Sequence, residues 1–290
     1  MDISNPRVPP PQRGIGVVAP FDFALDRELW RWVPDEVSLH LTRTPFVPVE
    51  VSLDMARLIS EHQSLREAVS ALHAVGPLSL AYACTSGSFV GGIAQERAMC
   101  GAMSAAADGL PAVTTSGALL EALAELGVNR VAVITPYTRS VTDSLEQYLA
   151  EGGVQVTGRE YLGLTGEIWK VPYAEVEAMA HRAELGEAEA LFVSCTNLRT
   201  YDLIPRLEAE LGIPVVSANQ ITVWSALRRI GVRAVGAHQS LTDPLARAAL
   251  LPGRATGSEP HSGHPGEEPP CAVEERPCAV EEPGSGPEAV

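Results

Sequence analysis

Two rhythms alternate along this chain. Short apolar, β-rich runs recur at "GIGVVAP" (from Gly14), "VSLHLTRTP" (Val37), "LSLAYAC" (Leu78), "PAVTTS" (Pro111), "RVAVITP" (Arg130), "VQVTGREYL" (Val154), "ALFVSC" (Ala190) and "PVVSAN" (Pro214). Between them lie stretches with apolar residues at helical spacing. These are "DMARLISEHQSLREAVSALHAV" (from Asp54), "SGALLEALAEL" (Ser116), "VTDSLEQYLAEG" (Val141), "AEVEAMAHRAEL" (Ala174), "LIPRLEAEL" (Leu203) and "ITVWSALRRIG" (Ile221). In "ALLEALAELGV" the period is clear, and Gly127 supplies the stop. Strand-like runs alternating with helices predict an α/β fold built on mainly parallel sheet.

The halves of the chain resemble one another. "GVVAPFD" matches "VAVITPYT", "SLAYACTSGS" matches "ALFVSCTNLR", and "LPAVTTSGALLEALAELGV" matches "IPVVSANQITVWSALRRIGV". Pro20 precedes Cys84 by 64 residues and Pro136 precedes Cys195 by 59. An internal repeat of this kind predicts two similar lobes, each with four strands. We expect residues 14–117 with 221–250 in the first lobe and 118–220 in the second. Residues 1–13 read as a loose arm. Residues 251–290 are rich in Pro, Gly and Glu, repeat "CAVEERPCAVEEP", and read as disordered. In parallel sheets ligands bind beyond the carboxyl ends of the strands. If the lobes face each other about a pseudo-dyad, Cys84 faces Cys195, and Phe21–Asp22 face Tyr137–Thr138.

Composition narrows the partners. The chain has 290 residues and a net charge of -15, which argues against nucleic acid, since binding phosphates needs a basic surface. No apolar run approaches a membrane span, and the start is polar and proline-rich, so no membrane partner and a cytoplasmic location are expected. The five cysteines are odd in number and form no CxxC pair, which speaks against both a disulfide framework and a zinc site. Gly87, Gly91 and Gly92 form no dinucleotide fingerprint, and no P-loop is present. A nucleotide cofactor is unsupported and no metal is expected.

Chemistry gathers at the strand ends. A free cysteine is often a small buried hydrophobe, the reading that fits Cys100. Cys84 and Cys195 differ, because each closes a strand, each precedes a threonine, and each occupies the matching place in its half. Helix-initiating N–H groups beside such a thiol lower its pKa, giving a reactive pair. Opposed thiols suit proton transfer on two faces of one carbon, or attack at one carbon and protonation at its neighbour. Thr85, Ser86, Thr196 and Asn197, with Thr114–Ser116 and Ser217–Asn219, read either as helix caps or as carboxylate binders. Tyr137 reads as a packed aromatic or as a hydrogen-bond donor to substrate.

The motifs "YACTSGS", "TPYT" and "FVSCTN" resemble the maleate cis-trans isomerase and arylmalonate decarboxylase family of the aspartate/glutamate racemase superfamily. The likeness runs from about Gly14 to Leu241. "VVAPFDFALDRELWRWVPD" and "YLGLTGEIWKVPY" are most similar to ectoine-utilisation proteins within that family. The resemblance implies two pseudo-symmetric Rossmann-like lobes, each with a four-stranded sheet flanked by helices. The site lies between them and needs no cofactor or metal. It implies Cys84 as nucleophile or base and Cys195 as acid, with Thr85, Ser86, Tyr137, Thr196 and Asn197 binding carboxylate. In arylmalonate decarboxylase only the second-lobe cysteine is present, so this chain, with both, departs from a plain decarboxylase. Where the isomerases carry substrate-binding asparagines, this chain has Asp22 and, near the second place, Gly166 or Glu167. Asp22 also reads as a cap on the helix of "FALDRELW". Carboxylates at both places would repel a dicarboxylate and favour an ammonium group.

The expectation is therefore a cofactor-independent two-thiol isomerase or racemase acting on a small carboxylic acid, in ectoine or amino-acid catabolism, self-associated as a homo-oligomer. A decarboxylase using Cys195 as proton donor and a non-catalytic ligand sensor are the rival readings.

Overall fold

The computed structural model describes residues 12–251. The expected arm at 1–13 and tail at 251–290, with Cys271 and Cys278, fall almost wholly outside them. The first sheet is made of β1 (Arg13–Ala19), β2 (Val37–Arg43), β3 (Ser79–Tyr82) and β4 (Ala112–Thr114). The helices among these strands are α1 (Asp26–Trp30), α2 (Leu53–Leu58), α3 (His62–His73), α4 (Thr85–Phe89) and α5 (Gly92–Ala105), and α6 (Thr115–Leu126) follows β4. The second sheet comprises β5 (Arg130–Thr135), β6 (Gln155–Tyr161), β7 (Ala190–Val193) and β8 (Val215–Ser217). Its helices are α7 (Arg139–Glu151), α8 (Tyr173–Arg182), α9 (Ile204–Leu211) and α10 (Ala218–Arg229), and α11 (Pro244–Leu250) closes the described chain.

Both sheets are parallel throughout, in the orders β2-β1-β3-β4 and β6-β5-β7-β8. All eight strand-like runs of the sequence become strands. Their burial explains why they read as continuous apolar runs: β3 and β7 are buried at every position between flanking helices. In each sheet the chain moves outward from the first strand, then returns to its other side. The strand order therefore reverses between β1 and β3, and again between β5 and β7. Such switch points open a crevice at the carboxyl ends of the strands. α10 leaves the second sheet and packs against β3, β4 and α6. That packing supports our proposed placing of this helix with the first lobe.

Three helical features differ from the sequence pattern. The long candidate from Asp54 to Val75 is two helices, because the chain turns at Ile59–Glu61. There the Ile59 carbonyl accepts a hydrogen bond from the Tyr82 hydroxyl at 2.8 Å. α5 escapes the pattern, since "GIAQERAMCGAMSA" is built of small residues and buries only Glu96, Met99 and Met103. α1 starts after Leu25, with no side-chain cap, so the capping reading of Asp22 is corrected. Elsewhere capping holds. The Thr114 hydroxyl accepts from Gly117 N, Ser217 and Gln220 form a capping box, and Gly127 ends α6 at φ 67°.

Candidate active site

Four strand ends meet at one pocket. Pro20 and Asp22 follow β1, Cys84, Thr85 and Ser86 follow β3, Tyr137 follows β5, and Cys195, Thr196 and Asn197 follow β7. The two switch points thus share a single cleft, enclosing at most about 310 Å³ of atom-free space. Part of that space is open to solvent and little of it is clear of the lining side chains, so the cleft suits only a small molecule. Val51, Met55, Ile59 and Ile168 form its apolar wall. Among the described residues, no Lys, Arg or His lines it.

Cys84 is buried at the start of α4 and makes no capping bond with its side chain. Its carbonyl accepts from the Ser88 hydroxyl at 2.7 Å, and Ser88 in turn meets Ser116 at 2.6 Å, so the turn is pinned from below. Cys195 is also buried and sits at φ 94°, a region side chains seldom occupy. Conformations of that kind cluster where function needs a group held out of its relaxed geometry. The Asn197 N–H points at the Cys195 sulfur at 3.4 Å.

The thiols are not acidified as the strand-end position predicted. Burial pushes Cys84 up to about 11 and Cys195 up to about 12. The negative charge of Asp22 pushes both the same way. The Gly87 N–H and the Tyr82 and Ser86 hydroxyls near one sulfur, and the Tyr137 hydroxyl and Asn197 N–H near the other, pull down without cancelling the desolvation. Both groups therefore rest as neutral thiols, ready proton donors that become nucleophiles only when a proton leaves. Alkylation of either thiol by iodoacetamide, followed residue by residue by mass spectrometry, should keep rising about tenfold per pH unit from pH 7 to 10. A plateau by pH 8 would contradict the desolvated site.

The hydroxyls and amides divide sharply between the lobes. The Thr85 hydroxyl is buried with no partner, and Ser86 has only the Cys84 sulfur, at 4.0 Å. Their counterparts across the cleft are committed. The Thr196 hydroxyl donates to Ala83 O at 3.2 Å. The Asn197 amide accepts from Ala24 N at 2.9 Å and donates to Asp22 O at 3.1 Å. These bonds tie the β7 loop to the β1 and β3 loops across the lobes. Tyr137 is buried against Phe89, with its hydroxyl on the side of the Cys195 sulfur.

Two placements depart from the sequence reading. Glu167 does not line the pocket: its carboxylate is exposed and pairs with Lys170, and the next residue, Ile168, faces inward instead. Sequence reasoning also missed Tyr82, whose hydroxyl lies with the Cys84 sulfur beside Gly87 while donating to Ile59 O. The signal was there, since residues two apart on a strand share a face.

A family model described as arylmalonate decarboxylase matches residues 59–241. The chain belongs to the arylmalonate decarboxylase family. It is 39% identical to the arylmalonate decarboxylase of Bordetella bronchiseptica over 151 residues, which cover 51% of this chain and 62% of that protein. The match thus spans less than two thirds of that relative. It is 29% identical to the maleate isomerase of Nocardia farcinica over 219 residues, 64% of this chain and 87% of the relative. Its fold matches a liganded arylmalonate decarboxylase carrying one Gly→Cys and one Cys→Ser substitution. The TM-score is 0.74 at 30% identity, covering 80% of this chain and all of that one. It also matches a Cys→Ser mutant of the Nocardia farcinica maleate cis-trans isomerase that holds a covalent succinylcysteine intermediate. Here the TM-score is 0.70 at 27% identity, over 76% of this chain and 94% of the other.

Outside the pocket, a buried carboxylate anchors the family's second cysteine loop. Glu28 of α1 accepts from Thr200 N at 2.5 Å, Thr200 Oγ1 at 3.1 Å and Tyr201 N at 2.9 Å. Truncating it strands the Thr200 and Tyr201 N–H donors, while the Thr200 hydroxyl keeps Ser217 Oγ at 2.8 Å. Glu28→Ala should lower stability by roughly 2–4 kcal/mol, checked by urea unfolding. A cost below about 0.5 kcal/mol would mean the loop is held by other contacts. Among the described residues, Glu177, His181 and Glu210 are spaced to hold a cation, but the Arg206 guanidinium already bridges the two glutamates.

Proposed function

We propose that this protein is a cofactor-independent isomerase or racemase that works on a small carboxylic acid between Cys84 and Cys195. The observation that carries the reading is that both thiols line one pocket from equivalent strand ends. Thr85, with its unpartnered hydroxyl, and Ser86 bind the substrate carboxylate beside Cys84. The Tyr137 hydroxyl, which favours the Cys195 thiolate, steadies the donor thiol. The resemblance to ectoine-utilisation proteins adds a place in ectoine or amino-acid breakdown to this reading.

Two courses of reaction fit. In the first, Cys84 gives its proton to water and its sulfur adds to one carbon of a C=C bond. Cys195 gives its proton to the neighbouring carbon. The new single bond rotates, and the reverse elimination restores both thiols. In the second, one cysteine as thiolate removes an α-proton and the other returns one from the opposite face. The succinylcysteine held by the Nocardia farcinica relative supports the first course by analogy.

A decarboxylase is the second reading, favoured by the family model and by the neutral state of Cys195, a ready proton donor to a carbanion. One screen separates the three. Wild-type protein is incubated in deuterium oxide with maleate, α-amino acids and α-substituted malonates, and followed by NMR. Conversion of maleate to fumarate supports addition, and α-deuteration without loss of carbon supports racemisation. Release of carbon dioxide from the malonates overturns the isomerase reading.

A further inference from the structure

The charge of the pocket is one-sided. Asp22 brings a carboxylate into a lining that otherwise holds thiols, hydroxyls, amides and apolar side chains, with no cationic residue among the described ones. The nearby guanidinium groups are taken: Arg43 pairs with Asp26 at 2.8 Å and Arg31 with Asp202 at 2.5 Å. The Asp22 backbone carbonyl is fixed by the Asn197 amide, so the residue is held at the pocket rather than free to swing away with its loop. Among the serine and threonine hydroxyls that line the cleft, those of Thr85 and Ser86 are the uncommitted ones. The matching groups on the other side, Thr196 and Asn197, are spent on cross-lobe bonds.

We infer that Asp22 sets the substrate's charge class: one carboxylate, held at Thr85 and Ser86, and an ammonium group held at Asp22. This rests on the proposed two-thiol site and narrows its substrate to an amino acid. A dicarboxylate would set its second negative charge against the half-buried Asp22 carboxylate, which has no cationic partner in the lining, and a partly desolvated site penalises that pairing. An ammonium group reverses the sign and forms a charge-assisted hydrogen bond. Burial already holds the Asp22 carboxyl above the usual carboxylate range, a strain that a bound cation relieves.

Three acids that share an ethyl group and a carboxylate isolate the effect. They are 2-aminobutyrate, 2-methylbutyrate and ethylmalonate, which differ at the α-carbon by ammonium, methyl and carboxylate. Affinities are measured by calorimetry on the full chain at pH 7, with wild type, Asp22→Asn and Asp22→Ser. Wild type should bind 2-aminobutyrate at least ~10-fold tighter than 2-methylbutyrate, with ethylmalonate weakest. Both variants should lose ~10-fold or more on 2-aminobutyrate, stay within ~3-fold on 2-methylbutyrate, and gain on ethylmalonate. The inference is overturned if wild type does not bind 2-aminobutyrate, if it prefers ethylmalonate, or if the variants leave the ratios unchanged. A preference for ethylmalonate would mean that a protonated Asp22 donates to a second carboxylate. Binding is read without turnover, so this result is independent of the two-thiol reading, which cysteine variants test.

Discussion

Cys84→Ser and Cys195→Ser should each lower turnover of the active substrate by about 10³-fold, the scale of losing a positioned acid, base or nucleophile. Serine keeps the size and hydrogen-bonding capacity of the side chain but is a far weaker acid and nucleophile. Both cysteines are buried and contribute packing as well as chemistry, so melting temperatures are measured beside the rates. A shift of a few degrees with a thousandfold loss of rate separates chemistry from stability. The two variants also discriminate between mechanisms. A decarboxylase that uses only Cys195 as proton donor tolerates Cys84→Ser, whereas an isomerase or racemase tolerates neither. Full activity in either variant contradicts the two-thiol mechanism.

Gly87→Ala should cost about 10²-fold in kcat/KM while leaving both cysteines in the sequence, because displacement of a positioned group by about 1 Å is enough for a loss of that size. A Cβ at this position would lie 2.5 Å from the Tyr82 hydroxyl oxygen and 3.2 Å from the Cys84 sulfur. The first distance is too short for any side chain to tolerate in place. Tyr82 cannot retreat freely, since it is fully buried and its hydroxyl donates to Ile59 O. The turn at Ile59–Glu61 and the thiol must therefore move together. The Ile59 side chain also lines the pocket, so both its apolar wall and its reacting sulfur shift. Near wild-type kinetics in Gly87→Ala would show that the Cys84 thiol has slack that the close packing does not suggest.

Much of the fold is legible in the sequence, and the reason is burial. Strands such as "SLAY" and "ALFV" are covered on both faces, which leaves a continuous apolar signature, and the repeat between halves announces the second sheet from the first. The pocket is legible for the same reason, because matching strand ends must sit at matching switch points. What escaped depends on groups distant in sequence. The thiols' high pKa comes from burial by both lobes together, which no local motif around Cys84 or Cys195 encodes. Thr196 and Asn197 read as free donors until the fold brings Ala83, Asp22 and Ala24 to them. Glu167 misleads because a single residue decides which of two neighbours faces inward, and Ile168 takes that place in a 3₁₀ turn.

The central claim is that Cys84 and Cys195 face one and the same bound molecule. Its most direct test is the alkylation of each cysteine, measured separately by mass spectrometry as the active substrate is titrated in. The account predicts that both thiols are shielded in parallel, with the same half-saturating concentration, while the half-buried Cys100 keeps its rate. Shielding of one thiol with the other unchanged, or two different half-saturating concentrations, would contradict it.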